Sequence, residues 1–134
     1  MVLSNGFTRD PRVANEAESL VRNGYEVTVL CWDRDGTLPP QETRNGIRVL
    51  RLRNTAWMQL LPYDLFRLRP FWRLALRRSL DLNASTPFAA IHCHDFDTLP
   101  VGTSLKVRTG LPLIYDAHEI WGYLMAHELP GDWG

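Results

Sequence analysis

Short apolar runs alternate with stretches of helical periodicity, and this alternation constrains the fold more than any other feature of the sequence. Runs that favour strands lie at 1–3, 27–31, 47–53, 88–93 and 111–115. Strands that are separated by helices usually pair in parallel through right-handed crossovers. We therefore predict an α/β fold with an open, mostly parallel sheet, strand order 3-2-1-4-5 counted along the chain, and helices on both faces. The alternation within 47–53 predicts a half-exposed edge strand.

Helices are predicted at 11–23, 71–80 and 98–109, with a further helix from residue 120 onward. Asp10 and Pro11 suit the N-cap and the first position of the first helix. Pro70 lacks a backbone N–H and is expected to break or kink any helix that contains it. The second helix is therefore predicted to begin at Phe71.

The size and charge of the chain limit the classes of function. A chain of 134 residues suits one compact domain, and its 15 basic and 15 acidic residues cancel, so no global field favours nucleic acid. The two cysteines are too few for a disulfide framework, which favours a reduced, cytoplasmic setting. The sequence shows no signal-peptide pattern and no run of about 18 apolar residues, so we expect any membrane contact to be peripheral.

Ligands of open parallel sheets bind beyond the carboxyl ends of the strands, at the point where the strand order reverses. In the predicted sheet this point separates the first and fourth strands. Polar segments follow three of the strands, at 4–9, 94–95 and 116–119. We predict that these segments, which are distant in sequence, converge on one site.

The candidate residues differ in how well an ordinary structural role explains them. His92 lies inside a strand and is interpreted as a buried structural histidine. His94 and Asp95 are expected to be exposed at the end of that strand and are interpreted as functional. Three further residues fit either a site or an ordinary role in helix capping or solvation: Asp116, His118 and Glu119.

Arg12 lies in the first turn of the first predicted helix, where its positive charge opposes the helix dipole. The position is easier to explain if Arg12 meets a carboxylate, such as Asp95 or Glu119, or a ligand phosphate. We therefore predict that Arg12 contributes to ligand binding, and that Arg12→Ala reduces binding more than folding.

Several familiar motifs are absent, which excludes some enzyme classes. The turn after the first strand contains only Gly6, so the Gly-x-Gly-x-x-Gly pattern of dinucleotide sites is missing, as are a Walker loop and a Gly-x-Ser-x-Gly elbow. The pair His92-x-His94 leaves a metal-dependent hydrolase open as an alternative, because residues i and i+2 of a strand face one side. Four residues could complete such a site: Asp95, Asp97, Asp116 and His118.

Three segments together point to one family. They are 4–30, with Ser4-Asn5-Gly6-Phe7-Thr8-Arg9-Asp10-Pro11-Arg12-Val13 at its start, then 91–100, Ile-His-Cys-His-Asp-Phe-Asp-Thr-Leu-Pro, and 113–119, Leu-Ile-Tyr-Asp-Ala-His-Glu. In this order and spacing the chain resembles the N-terminal part of family 4 (group 1) glycosyltransferases of the GT-B fold. The resemblance covers most of the chain and weakens between 54 and 87.

The resemblance implies transfer of a hexose from a nucleotide-sugar to a glycan or lipid-linked acceptor, with retention of anomeric configuration and without a metal or other cofactor. It also implies a protein of two Rossmann-like domains, of which this chain would be the N-terminal, acceptor-side one. The donor-binding C-terminal domain is then absent from this truncated chain and supplied in cis or in trans. We expect such a half-enzyme to be weak or inactive alone; a non-catalytic α/β binding module is the remaining alternative.

The resemblance also assigns roles to individual residues. His94 and Asp95, after the fourth strand, are predicted to be catalytic, because the family's residues at this place lie beside the transferred sugar. Which of the two contacts the sugar, and whether either is a base, stays open. The residues predicted to bind substrate are Asn5, Gly6, Arg9, Arg12, Asp116, His118 and Glu119.

Residues 57–80 mix apolar and aromatic side chains with five arginines: Arg67, Arg69, Arg73, Arg77 and Arg78. Such a stretch fits either a core helix with solvated arginines or a contact with an anionic membrane surface. Many members of the resembled family act on lipid-linked or cell-envelope acceptors, which favours the second interpretation. We predict a cytoplasmic protein that binds peripherally at the inner face of the membrane through 57–80.

Overall fold

The protein is described by a computed structural model over residues 1–118. Its helices are α1 (Pro11–Arg22), α2 (Ala56–Gln59), α3 (Asp64–Ser85) and α4 (Leu99–Thr109). Its strands are β1 (Thr28–Asp33), β2 (Gln41–Arg44), β3 (Ile47–Arg53), β4 (Ile91–His94) and β5 (Leu113–Asp116). A 3₁₀ turn at Phe96–Thr98 joins β4 to α4. The helix predicted from residue 120 onward lies outside the described residues.

The strands form an open, mostly parallel sheet whose two parts are joined by the segment around Val2. β1 pairs in parallel with β3, and β4 pairs in parallel with β5. Val2 bridges β1 and β4: its N–H donates to the His92 carbonyl at 2.8 Å, and its carbonyl accepts from the His94 N–H at 3.2 Å. In spatial order the sheet runs β2, β3, β1, residues 1–3, β4 and β5. Apart from β2, which was not predicted, this is the predicted order 3-2-1-4-5, with residues 1–3 as the first strand. This confirms the predicted topology, although the first strand is reduced to a bridged segment.

Helices cover both faces of the sheet, as predicted. On one face, Val13 and Ala17 of α1 pack with Val29 of β1 and Val49 of β3. On the other face, α3 and α4 contribute the buried residues of a second core cluster: Phe71, Ala75, Val101 and Leu105. The start of α1 is as expected, because Pro11 is its first residue and Asp10 Oδ1 accepts the Val13 N–H at 3.3 Å.

The prediction that 47–53 forms the edge of the sheet is wrong. The bounds of β3 are those predicted, but β2 pairs with it in antiparallel register and covers that edge. Asn45 and Gly46 form the turn, with φ angles of 50° and 79°. An Asn-Gly dipeptide is the strongest short-range signal for a two-residue hairpin, and it was available in the sequence.

The prediction that Pro70 limits the second long helix is also wrong. α3 begins at Asp64 and passes through Pro70 without ending. A proline removes one hydrogen bond from the helix, and here tertiary bonds hold the preceding turn. Arg67 donates to the Met58 carbonyl at 3.0 Å and to the Leu61 carbonyl at 2.7 Å, and it pairs with Asp64 at 3.1 Å. These contacts link α2 to the start of α3.

The ends of β4 and β5 differ by one residue from the prediction. Each strand extends one residue further, so His94 and Asp116 lie at the final positions of paired strands. No helix within residues 1–118 combines the length and the apolar character needed to cross a membrane.

Candidate functional site

Two histidines of β4 form the centre of a polar cluster on the α1 face of the sheet. His92 and His94 alternate with Cys93, which packs into the core on the opposite face. The two imidazole rings stack with their centroids 4.2 Å apart. Both residues are buried, and His94 is only 1% exposed. The expectation that His94 is an exposed residue is therefore wrong, because the pairing of β4 with β5 continues to it.

Glu16 of α1 completes the α1 side of this cluster and was missed by the sequence analysis. Its Oε1 lies 3.4 Å from His92 Nδ1, and its Oε2 lies 3.8 Å from His94 Nε2. Residue 16 is three positions after Val13, so it shares the helix face that packs on the sheet. A carboxylate on a helix face that packs on the sheet could have indicated a polar contact. The sequence does not show its partners, because they lie on β4, about 76 residues further along the chain.

His118 follows β5 and extends the cluster toward the carboxyl edge of the sheet. Its Nε2 lies 3.2 Å from His94 Nδ1 and 3.4 Å from Asp116 Oδ2. Because two acceptors can surround His118 Nε2, these contacts favour the tautomer with the proton on Nε2, which leaves Nδ1 as a proton acceptor. The structure thus brings together three of the predicted site residues: His94, Asp116 and His118.

Burial sets the charges within the cluster. It lowers the pKa of His94 to about 4, with His92 adding to the effect, and it lowers the pKa of His92 as well. Burial also raises the pKa of Glu16, and the nearby Asp116 carboxylate adds to that shift. His94 is therefore a neutral imidazole at neutral pH, able to accept one hydrogen bond and donate another.

Asp95 follows β4 with a backbone conformation that few residues other than glycine adopt. Its φ and ψ angles are 69° and 157°. Its N–H donates to the Asp116 carbonyl at 3.0 Å, and its carbonyl accepts the Thr98 hydroxyl at 3.1 Å. These bonds hold together the turns after β4 and β5. Backbone strain of this kind is concentrated at functional sites, so it supports the prediction that Asp95 belongs to the site.

Asn5 and Gly6 lie in a different part of the carboxyl edge. They line an open pocket of about 420 Å³ whose other wall is the end of β1 and the loop after it, including Asp33 and Leu38. The Asn5 carbonyl accepts the Trp32 N–H at 3.1 Å, which places this loop beside β1. The predicted convergence is thus divided in two: the 4–6 loop borders the β1 pocket, whereas the histidine cluster lies at β4 and β5.

Arg51 of β3 holds the β1 pocket in shape, and sequence reasoning missed it. Its side chain is 1% exposed and donates to the Gly6 carbonyl at 2.9 Å, the Pro39 carbonyl at 2.9 Å and the Glu42 carboxylate at 2.5 Å. The position of Arg51 in the strand could have indicated its burial, because Arg51 shares a strand face with Ile47 and Val49, both buried. A charged residue on a buried strand face requires specific partners.

The remaining predicted residues are Arg9, Arg12 and Glu119. Arg9 is exposed and lines a smaller pocket of about 210 Å³ beside the start of α1. Arg12 is exposed on α1, and its role in ligand binding stays a prediction. Glu119 lies outside the described residues.

The glycosyl transferase 4-like domain family matches residues 10–133, most of the chain. The chain belongs to this family. The resemblance of the three sequence segments to family 4 glycosyltransferases is thereby confirmed. The domain is also similar to an uncharacterized glycosyltransferase of Methanocaldococcus jannaschii, with 33% identity over 102 residues.

That alignment covers 76% of this glycosyl transferase 4-like domain but 24% of the relative, so the chain spans about a quarter of that protein's length. No solved structure matches the domain. Membership of a glycosyltransferase family favours glycosyl transfer over the metal-dependent hydrolase considered from the His-x-His pair.

Proposed function

We propose that this domain is the acceptor-side half of an enzyme that transfers a hexose from a nucleotide-sugar to a glycan or lipid-linked acceptor. The observation that carries the proposal is the contact of His94 with His118 at the carboxyl ends of β4 and β5, where ligands of open parallel sheets bind. Family membership supports sugar transfer as the chemistry of that edge.

The chemistry of the pair suits an acceptor hydroxyl. Sugar transfer requires that a hydroxyl be oriented or deprotonated while negative charge develops on a departing diphosphate. In the tautomer favoured by its contacts, His118 Nδ1 can accept the proton of that hydroxyl. His94, neutral and buried, positions His118 through the bond of 3.2 Å. Asp95, in the strained turn beside them, is proposed to contact the transferred sugar.

We further propose that transfer retains the anomeric configuration, requires no catalytic metal, and depends on a donor-binding domain supplied in cis or in trans. The small share of the Methanocaldococcus jannaschii relative that the chain covers supports a second domain, because about three quarters of that protein lies outside the aligned region. Asn5 and Gly6, which line the β1 pocket, and Arg9, beside the start of α1, are proposed as substrate contacts.

A turnover assay tests this proposal. The chain, alone and together with a donor domain, is incubated with a panel of nucleotide-sugars and lipid-linked acceptors, and release of nucleoside diphosphate is measured. We expect little turnover by the chain alone. In the complete enzyme we expect His118→Ala to lower kcat by about 100-fold or more, which is the usual contribution of a general base. Glu18→Gln is the matched control, because Glu18 lies on α1 and bonds Asn45.

Two outcomes would contradict the proposal. Full turnover by the isolated chain would show that no donor half is needed. Normal kcat in the His118→Ala enzyme would show that the histidine cluster is not the reacting edge.

We also propose that the α2–α3 region contacts an anionic membrane surface. Trp57, Leu60, Tyr63, Leu65 and Phe66 are all more than half exposed. Arg73 and Arg77 are exposed two and three turns further along the helix face that carries Phe66. Apolar anchors beside arginines match the requirements of an interfacial helix.

Co-sedimentation with liposomes tests the membrane contact. We expect Arg73→Glu, Arg77→Glu and Arg78→Glu together to reduce binding to anionic vesicles and to leave the weak binding to neutral vesicles unchanged. Each reversed charge removes an attraction of about 1 kcal/mol near such a surface. A triple variant with undiminished binding would contradict the proposal. Arg22→Glu, an exposed arginine on α1, is the control for general loss of positive charge.

A further inference from the structure

The cluster behind the proposed reacting edge contains more potential metal ligands than a hydrogen-bonded histidine pair requires. Glu16, His92, His94 and Asp116 each offer one ligand atom, and these four atoms lie within 4.8 Å of one another. They come from three elements: α1, β4 and the end of β5. We propose that these four residues form a binding site for a divalent transition-metal ion, with Zn²⁺ as the preferred ion.

The spacing of the donors fits a small tetrahedral ion. Bonds of 2.0–2.2 Å to nitrogen and oxygen place neighbouring ligand atoms about 3.5 Å apart. The Glu16 oxygens lie 3.4 Å from His92 Nδ1 and 3.8 Å from His94 Nε2. The widest separation must close by about 1 Å, and the two carboxylates, with side chains 38% and 41% exposed, have room to move.

A buried imidazole nitrogen of His94 provides a second, independent observation. His94 Nε2 is buried and has no hydrogen-bond partner among the described residues. The His94 side chain is 1% exposed, and its Nε2 faces Glu16. A buried imidazole nitrogen without a partner is unfavourable, whereas a bound metal ion would satisfy it.

The donor set also indicates which ion binds. Two imidazoles and two carboxylates suit Zn²⁺ and its neighbours in the transition series, whereas Mg²⁺ prefers an octahedral shell of oxygen atoms. The partly exposed carboxylate of Glu16 offers the ion a path from solvent.

The number of donors indicates a structural ion rather than a catalytic one. Four protein ligands fill a tetrahedral site and leave no position for a water molecule, in contrast to catalytic zinc sites with three. The site is therefore consistent with metal-independent sugar transfer. His94 would bind the ion through Nε2 and donate its Nδ1–H to His118 Nε2, the arrangement in which a ligand histidine is oriented by its second nitrogen. With the ion bound, the proton of neutral His118 would lie on Nδ1, so the base role proposed for His118 belongs to the metal-free chain. The ion would fasten α1 to β4 and β5 and fix the ring beside His118.

Binding of Zn²⁺ and Co²⁺ to the purified, chelator-treated full chain tests the site, without any need for a sugar substrate. Isothermal titration should give one Zn²⁺ per chain, unaffected by excess Mg²⁺, and Co²⁺ should show the visible absorption bands of tetrahedral coordination. Glu16→Gln and His92→Gln should each weaken Zn²⁺ binding by about 10-fold or more, since even residues that only support metal ligands contribute this much. Circular dichroism of the metal-free variants checks that they fold.

Glu18→Gln is the matched control, because Glu18 is a carboxylate of the same helix that bonds Asn45 rather than the histidines. Three outcomes would overturn the proposal: no saturable Zn²⁺ binding, displacement of Zn²⁺ by Mg²⁺, or equal Zn²⁺ affinity in the Glu16→Gln and Glu18→Gln chains. In the last case the ion binds elsewhere on the chain.

Discussion

Replacement of Arg51 by methionine tests whether one buried guanidinium holds the β1 pocket together. Methionine keeps most of the aliphatic stem of Arg51 and removes its charge and its donors. Three acceptors then lose their partner: the carbonyls of Gly6 and Pro39 and the carboxylate of Glu42. The variant therefore removes the link between β3 and the loops at both sides of the pocket.

The expected loss of stability follows from those three bonds. A hydrogen bond to a charged group contributes about 1.5–3 kcal/mol, and breaking a buried ion pair by removing one partner costs about 3–5 kcal/mol. The Glu42 side chain is 29% exposed and can regain water, as can carbonyls at the rim of an open pocket. We therefore expect Arg51→Met to lower the free energy of unfolding by about 3 kcal/mol.

Urea unfolding followed by tryptophan fluorescence measures this loss, because Trp32 is buried and stacks on Phe71 at 4.5 Å. Arg53→Met is the matched control on the same strand. The Arg53 side chain is 46% exposed; it pairs with Asp33 at 3.5 Å and donates to the Leu38 carbonyl at 2.5 Å. Asp33 keeps the N–H groups of Gly36 and Leu38 as donors, so Arg53→Met should cost about 1 kcal/mol. Equal losses in the two variants, or a loss below about 1 kcal/mol for Arg51→Met, would refute the reasoning.

Arg51→Met should also change how the free energy of unfolding depends on pH. The hydrogen bond from Arg51 lowers the pKa of Glu42 below its ordinary value of 4.5. A carboxyl group whose folded pKa is depressed contributes stability above its unfolded pKa, and this contribution disappears as the pH falls through the folded pKa. Wild type should therefore lose stability below pH 4.5, and Arg51→Met should show a smaller part of that loss.

Three further predictions use the same unfolding assay. The folded pKa of His94 is lowered from 6.5 to about 4, so the unfolded chain binds more protons between these two pH values. The free energy of unfolding in chelator-containing buffer should therefore fall by about 3 kcal/mol as the pH drops from 6.5 to 4. If His94→Gln lost as much stability over this pH range as wild type, the prediction would be contradicted. A Cβ at Gly102 would overlap Cys93 Sγ, so Gly102→Ala should cost about 1–3 kcal/mol, whereas the exposed Thr103→Ala should cost less than about 0.5 kcal/mol; similar losses would refute the close packing. Because Asp95 has a φ of 69°, Asp95→Gly should be as stable as wild type or more stable by about 1 kcal/mol, and a clear loss of stability would show that this backbone is not strained.

The sequence predicts those parts of the fold that depend on local periodicity and end signals. The bounds of β3 agree with the prediction, and α1 begins at Pro11 with Asp10 as its cap. The course of α3 through Pro70 could not be read locally, because the bonds that hold its first turns come from Arg67 to carbonyls of α2 and of the loop after α2. The β2–β3 hairpin differs: its Asn45-Gly46 signal was present in the sequence.

The site was predictable only where strand ends identify it. His94, Asp116 and His118 follow from the rule that polar residues at the carboxyl ends of neighbouring parallel strands share an edge. Glu16 and Arg51 do not, because each lies on a face whose periodicity predicts apolar packing. Their partners come from other elements, and only the assembled sheet shows that both side chains meet polar groups.

The polar cluster lowers the stability of the fold, and packing of the core does not require it. Apolar residues in place of His92 and His94 would avoid the burial of titratable groups and are often neutral or stabilising in such positions. Asp95 adds a strained backbone directly beside them. These departures from local rules meet at one end of β4, and departures of this kind are expected where a sequence serves function rather than stability. The carboxyl edge of β4 and β5 is therefore the part of the domain whose sequence is best explained by a ligand.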